Sequence, residues 1–117
     1  MEQQSYDYKK LIVYQKSMDL VVIIYKLLEK LPSEEKFGLR SQMSRAVVSI
    51  PSNISEGSRK RTSAEKKQFF RIALGSTSEL ETQLEICERL EFFSREMTQP
   101  ANSLVLEITK MLTKMSY

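Results

Sequence analysis

Between Leu39 and Gly57 the chain carries two stripes at helical spacing with a proline inside them. Leu39, Met43, Ala46, Val47, Ile50 and Ile54 recur every three or four residues, which is the spacing of one apolar helix face. One residue back run Gln42, Arg45, Ser49, Asn53 and Glu56, and these also share a face. A surface helix usually carries Lys and Glu there. Short hydroxyls, amides, one Arg and one Glu instead suit a half-buried polar seam between helices, where each group must find a partner. The alternative is a solvated face short of lysine. Pro51 removes one backbone donor and crowds the carbonyl of Val47. Either one helix bends there, or a helix ends near Ser49 and a second begins with Pro51 in its first turn. Both stripes continue through Pro51, which favours the bent helix, with Gly57 as its stop.

The rest of the chain fits helices too. With 117 residues it is one domain, 1–117. Three Gly, three Pro and scarce strand-like alternation point to an all-α fold. A single cysteine, Cys87, excludes an intramolecular disulfide. No apolar run approaches the roughly 20 residues of a membrane-spanning helix, so no membrane partner is expected. The start, MEQQSYDYKK, lacks the apolar core of a signal peptide, and a cytoplasmic protein is expected. There is no histidine. That excludes His-dependent triads, haem held by His, and the Glu-x-x-His di-iron sites of helical bundles. With one Cys, a structural zinc site within one chain is not expected either.

Taken in order, residues 1–10 read as a flexible lead-in. A helix follows from about Val13 to Lys30, where Tyr14, Met18, Val21, Tyr25 and Leu28 have the spacing of a bundle seam. Val22, Ile24, Leu27 and Leu31 widen its apolar surface, so the helix needs more than one neighbour, supplied by a second subunit or by the same chain. Leu31-Pro32 ends it. The second helix spans Leu39 to Gly57. Thr62 and Glu65 fit a capping box, so a third helix runs from near Ser63 to about Phe92. Its apolar line is Phe69, Ile72, Ala73, Leu80, Leu84, Cys87 and Leu90. Gly75 and Ser76 interrupt that line, as a close helix approach or as a weak helix position. Cys87 lies on the line and has no His to activate it, so it reads as core. Ser94 to Gln99 reads as a loop, with Thr98 or Gln99 capping a last helix and Pro100 in its first turn. Leu104, Ile108, Met111 and Met115 form its seam. The sum is an antiparallel up-down-up-down four-helix bundle.

Two clusters of polar residues are candidates for function. Arg59, Lys60, Arg61, Lys66, Lys67 and Arg71, offset only by Glu65, give +5 locally against +3 for the chain. Bases at the start of a helix oppose its dipole, and with the helix-start amides they attract an anion or a phosphate backbone. A solvated loop of ordinary lysines is the alternative. Phe69 and Phe70 read as core, so binding to backbone rather than to stacked bases is expected. The second cluster is the seam. An antiparallel hairpin turning at residues 59–63 sets Gln42 near Gln83, Arg45 near Glu79 and Ser49 near Ser76, with Arg45 and Glu79 as a partly buried pair.

The run Gln42, Arg45-Ala46, Ser49-Ile50, Asn53-Ile54, Glu56-Gly57, followed by Gly75-Ser76, Glu79-Leu80-Glu81 and Gln83-Leu84, resembles a known family. Leu11, Val13, Tyr14-Gln15-Lys16, Pro32, Glu35 and Phe37-Gly38-Leu39 add to it. These motifs resemble the four-helix-bundle proteins encoded in intervening sequences of bacterial 23S rRNA genes, over roughly Leu11 to Phe93. The resemblance implies a homopentamer, no catalytic activity and no cofactor. A related branch, the accessory proteins of retroelement reverse transcriptases, implies association with RNA or DNA through basic surfaces. Three functions compete. The first is a non-enzymatic, oligomeric nucleic-acid-associating protein without a small-molecule substrate. The second is a scaffold docking an acidic or reverse-transcriptase-like partner. The third, ranked last, is an enzyme built on Arg45, Asn53, Glu56 and Glu79.

Overall fold

The computed structural model describes residues 7–117. Four helices follow one another: α1 Ile12–Leu28, α2 Leu39–Ser58, α3 Ser63–Arg89 and α4 Arg95–Ser116. Short 3-10 turns at Tyr8–Lys10 and Ser33–Glu35 precede α1 and α2. The described residues include no strand, and none of their helices is long and apolar enough to cross a membrane. Each helix packs on two others: α1 on α2 and α4, and α3 on α2 and α4. Along α2, Met43, Ser49 and Gly57 meet Cys87, Ser76 and Phe70 in turn, so α2 and α3 run in opposite directions. Glu88 meets Thr98 while Arg71 meets Tyr117, so α3 and α4 do as well. The result is an elongated bundle of 55 × 23 × 21 Å.

The core follows the apolar stripes. Met43, Val47, Ile50 and Ile54 of α2 are fully buried against Leu20 and Ile24 of α1, Leu80 and Leu84 of α3, and Ile108 and Leu112 of α4. Each such side chain contributes on the order of 1.5–3 kcal/mol by leaving water. Pro51 lies inside a continuous α2 and is itself buried.

Helix α1 has the expected spacing but turns a neighbouring face inward. Its buried residues are Val13, Ser17, Leu20, Ile24, Leu27 and Leu28, of which only Leu28 belongs to the expected seam. Met18, Val22 and Tyr25 remain 43%, 53% and 47% exposed. Ser17 can enter the core because its hydroxyl donates to the Tyr14 carbonyl at 2.7 Å. Apolar residues on both faces left the inward face undecided by spacing alone. Residues 1–6 of the expected lead-in lie outside the described residues. Tyr8–Lys10, from the same lead-in, form an ordered turn capped by the Asp7 side chain, and Tyr8 packs edge-on against Tyr14 with ring centres 5.0 Å apart.

Gly57 does not stop α2, which continues to Ser58. No glycine has a positive φ. A Cβ at Gly57 would stand 2.8 Å from the Phe70 ring and 3.0 Å from Phe69 Cβ. The glycine is there to bring α2 close to α3. Gly75 is the opposite case: a Cβ would meet nothing within 4 Å, so the weak-position reading of that interruption holds.

Helix α3 begins at the expected capping box. Thr62 Oγ1 accepts from the Glu65 amide at 3.1 Å, and the Glu65 carboxylate accepts from the Thr62 amide at 3.4 Å. Phe70 is in the core as expected, but Phe69 is only half-buried, Ile72 and Leu90 are exposed, and Thr77 joins the buried line. Thr77 disposes of its hydroxyl by donating to the Ala73 carbonyl at 2.9 Å. The helix ends at Arg89 rather than near Phe92. The Phe92 amide reaches back to the Cys87 carbonyl at 2.9 Å and the Glu91 amide to Glu88 at 3.0 Å. This is a Schellman closure, with Glu91 at φ 62° where glycine is usual.

The expected Ser94–Gln99 loop is absent, because α4 starts at Arg95. Ser94 is the cap, its hydroxyl accepting from the Met97 amide at 3.2 Å. Buried Thr98 donates to Glu88 on α3 at 2.7 Å, which pins this early turn. Pro100 therefore lies in the second turn, not the first. It forfeits one backbone bond, to the carbonyl of Glu96, where both residues are exposed and water can serve instead.

Candidate nucleic-acid interface

The helix directions gather one end of the bundle from three stretches: residues 7–18, 52–73 and 106–117. These carry eleven Lys and Arg against four Asp and Glu, a net +7. The other described residues carry seven against ten, a net −3. The six basic residues singled out in the sequence all belong to the positive end. Lys9, Lys10, Lys16, Lys110 and Lys114 join them there, brought in by the tertiary fold.

The six are not equivalent. Lys60 pairs with Glu56 at 3.1 Å, one turn away on α2, and stands 5.0 Å over the Phe69 ring. Lys66 donates to the Ser58 carbonyl at 3.1 Å, at the C-terminal end of α2. A cation is favourable at that negative end, so Lys66 at the start of α3 is not misplaced: it serves the neighbouring helix. Arg59 lies 5.0 Å from the centre of the Tyr8 ring, and Arg71 lies 5.2 Å from that of Tyr117. Arg61 and Lys67 make no ion pair among the described residues. Outward-directed charge thus rests on Arg59, Arg61, Lys67 and Arg71.

The seam between α2 and α3 forms at its centre. Ser76 donates to Ser49 at 2.8 Å, and Asn53 donates to the Ser49 hydroxyl at 3.0 Å and to its carbonyl at 2.9 Å. Gln83 is buried, with its carbonyl oxygen unpartnered among the described residues. Away from the centre the expected pairing is not made. Gln42, Arg45 and Glu79 are exposed, and Arg45 and Glu79 form no ion pair among the described residues. Both long side chains reach water, where each keeps its hydration and avoids the desolvation cost of a buried pair. Glu56 has turned to Lys60. Arg45, Asn53, Glu56 and Glu79 therefore do not converge as a charged cluster. Cys87 is fully buried with its Sγ 3.7 Å from Met43 Sδ, and burial, reinforced by Glu35 and Glu88, pushes its thiol up to about 11. That thiol stays protonated at neutral pH and is a poor nucleophile.

The sequence profile of the family described as 23S rRNA-intervening sequence protein matches residues 9–114. The chain belongs to this family. A crystal structure from Bacteroides thetaiotaomicron, a protein of unknown function from the S23 ribosomal protein family, superposes with a TM-score of 0.82. It is 32% identical, and the match covers 90% of this chain and 98% of that one. A comparison with curated proteins yields no match.

Spacing along the chain did not reveal the aromatic residues at the basic end. Tyr8 and Tyr117 stand near opposite ends of the sequence from each other and far from Arg59 and Arg71. Only the up-and-down path of the helices joins them. An aromatic near each terminus of a four-helix chain, with a basic turn between helices two and three, was the available signal.

Proposed function

We propose that this protein is a non-catalytic, self-associating bundle of the bacterial cytoplasm that holds nucleic acid at its basic end, chiefly through the phosphate backbone. The observation that supports this is the separation of charge: +7 in one end against −3 in the rest of the described residues. Phosphate contacts from Arg and Lys release counterions, so affinity should fall steeply with salt and depend little on sequence. The test is binding of a labelled RNA and a matched DNA between low and moderate salt. Log–log dependence with a slope of several units is expected. No binding at low salt overturns the reading.

Self-association rests on a different surface. Val21, Val22 and Tyr25 of α1 and Val48 of α2 line an apolar groove edged by Lys26 and Glu29. Together with exposed Met18 this makes a strip of the kind that subunits cover. We read it as the contact of a homopentamer. Light scattering of the native protein and of Val22→Glu tests it: a pentamer that the substitution dissociates supports the reading. A monomeric native protein removes it and leaves the strip to another protein partner, such as a reverse-transcriptase-like one.

A further inference from the structure

Among the described residues, the basic end contains one aromatic ring that is held but not covered. Tyr8 is half-buried, with Arg59 over its face and Tyr14 against it at 5.0 Å. Phe69 carries Lys60 and is half-buried. Tyr117 differs: Arg71 sits over it at 5.2 Å, yet the residue is 71% exposed. A guanidinium over one face of a ring fixes its orientation and leaves the opposite face open.

The charges around Tyr117 are arranged in two tracks. On α4, Lys110, Lys114 and Tyr117 follow gaps of four and three and so share a face, and both lysines are exposed. On α3, Lys67 and Arg71 are four apart and share a face as well. The two helices are packed neighbours, and Arg71 bridges them by reaching the ring. The nearest acid preceding the α4 track, Glu107, is engaged by Lys16 at 3.1 Å. Cations that follow a backbone beside an open aromatic face are the ingredients of a site for unpaired strands, because every base has a face to stack and a duplex hides it.

We propose that the basic end takes single-stranded nucleic acid, with one base stacked on the open face of Tyr117 and the adjoining phosphates on Lys67, Arg71, Lys110 and Lys114. This rests on the nucleic-acid reading above and narrows it to a strand type. Stacking is only weakly dependent on salt, whereas phosphate contacts set the salt slope, so the two contributions separate in one titration.

The experiment compares a labelled single-stranded oligothymidylate with a hairpin duplex of equal phosphate number, for native protein, Tyr117→Ala and Tyr117→Trp. Native protein should prefer the single strand. Tyr117→Ala should weaken single-strand binding by about 5- to 150-fold, the range for one lost stacked base. Its salt slope should stay unchanged and its duplex affinity should move less than twofold. The chain has no tryptophan, so Tyr117→Trp installs a sole indole. Its emission should be quenched by the single strand and not by the duplex. If native protein binds neither nucleic acid, the nucleic-acid reading and this proposal fall together. If it binds both and Tyr117→Ala binds the single strand as tightly as native, or the indole stays bright in the complex, the stacking site is wrong and the backbone reading stands.

Discussion

The two ends of this bundle handle charge in opposite ways. At the acidic end some carboxylates are used within the molecule. Glu88 accepts from Thr98 at 2.7 Å and from Asn102 at 3.4 Å, and Glu85 pairs with Arg89 at 3.0 Å. At the basic end Lys16, Lys60 and Lys66 are used this way, while Arg61 and Lys67 are not. Arg59 and Arg71 lie on aromatic rings, which orient a guanidinium without cancelling its charge. At one end Glu88 ties α3 to α4. The other has the Lys16–Glu107 pair between α1 and α4 at 3.1 Å, yet leaves more of its charge directed outward.

That contrast can be broken by substitution. The largest effect is expected at Gly57, where the basic end is held by close packing. Gly57→Val must displace Phe70, whose ring would lie 2.8 Å from the new Cβ. Overpacking of this kind should cost about 3 kcal/mol, read as a lowered denaturation midpoint in urea. A Gly57→Val protein as stable as native would mean that Phe70 moves freely and the packing is loose. At the acidic end, Thr98→Val keeps shape and removes the hydroxyl on Glu88. A loss of about 2 kcal/mol is expected, because a bond to a charged acceptor is removed. If the loss is no larger than for an exposed substitution, Glu88 is not holding α3 to α4.

Two smaller effects sharpen the picture. Glu91→Gly should raise stability by about 1 kcal/mol, since φ 62° is strained for glutamate and free for glycine. A fall would mean the Glu91 side chain contributes more than its backbone costs. At neutral pH the smallest effect concerns Cys87, whose thiol burial pushes up to about 11 from 9.0. The unfolded chain loses that proton first as pH rises. Stability from this group is therefore intact below about pH 9 and declines between about pH 9 and 11. Native protein should lose more stability across that window than Cys87→Val, and equal losses would show the thiol to be neutral to folding.

Much of this was legible before any coordinates. The Thr62–Glu65 capping box, the α2 core line from Met43 to Ile54 and the Ser49–Ser76 contact follow from short-range rules or from the pairing of one hairpin. What was missed has identifiable causes. Helix α1 is apolar on two faces, so spacing could not choose between Met18-Val22-Tyr25 and Val13-Leu20-Ile24. A Schellman closure normally advertises itself with glycine, and Glu91 conceals it. Pro100 suggested a cap at Thr98 or Gln99, a role that Ser94 takes four or five residues earlier. Arg45 and Glu79 face one another by number, but long side chains prefer water when water is within reach. The basic cluster was visible as a run of residues; its aromatic partners Tyr8 and Tyr117 were not, because they arrive only through tertiary structure.

The separation of charge also has a kinetic meaning. A rod 55 Å long with opposite net charge in its two parts experiences a torque in the field of a polyanion before the two touch. It arrives already pointing the correct way, and fewer encounters are wasted on the wrong end. Added salt shortens the reach of that field to about 8 Å at physiological strength, so pre-alignment fades first and appears as a slower association rate. Contacts already made at the surface are screened less, and the dissociation rate should respond more weakly.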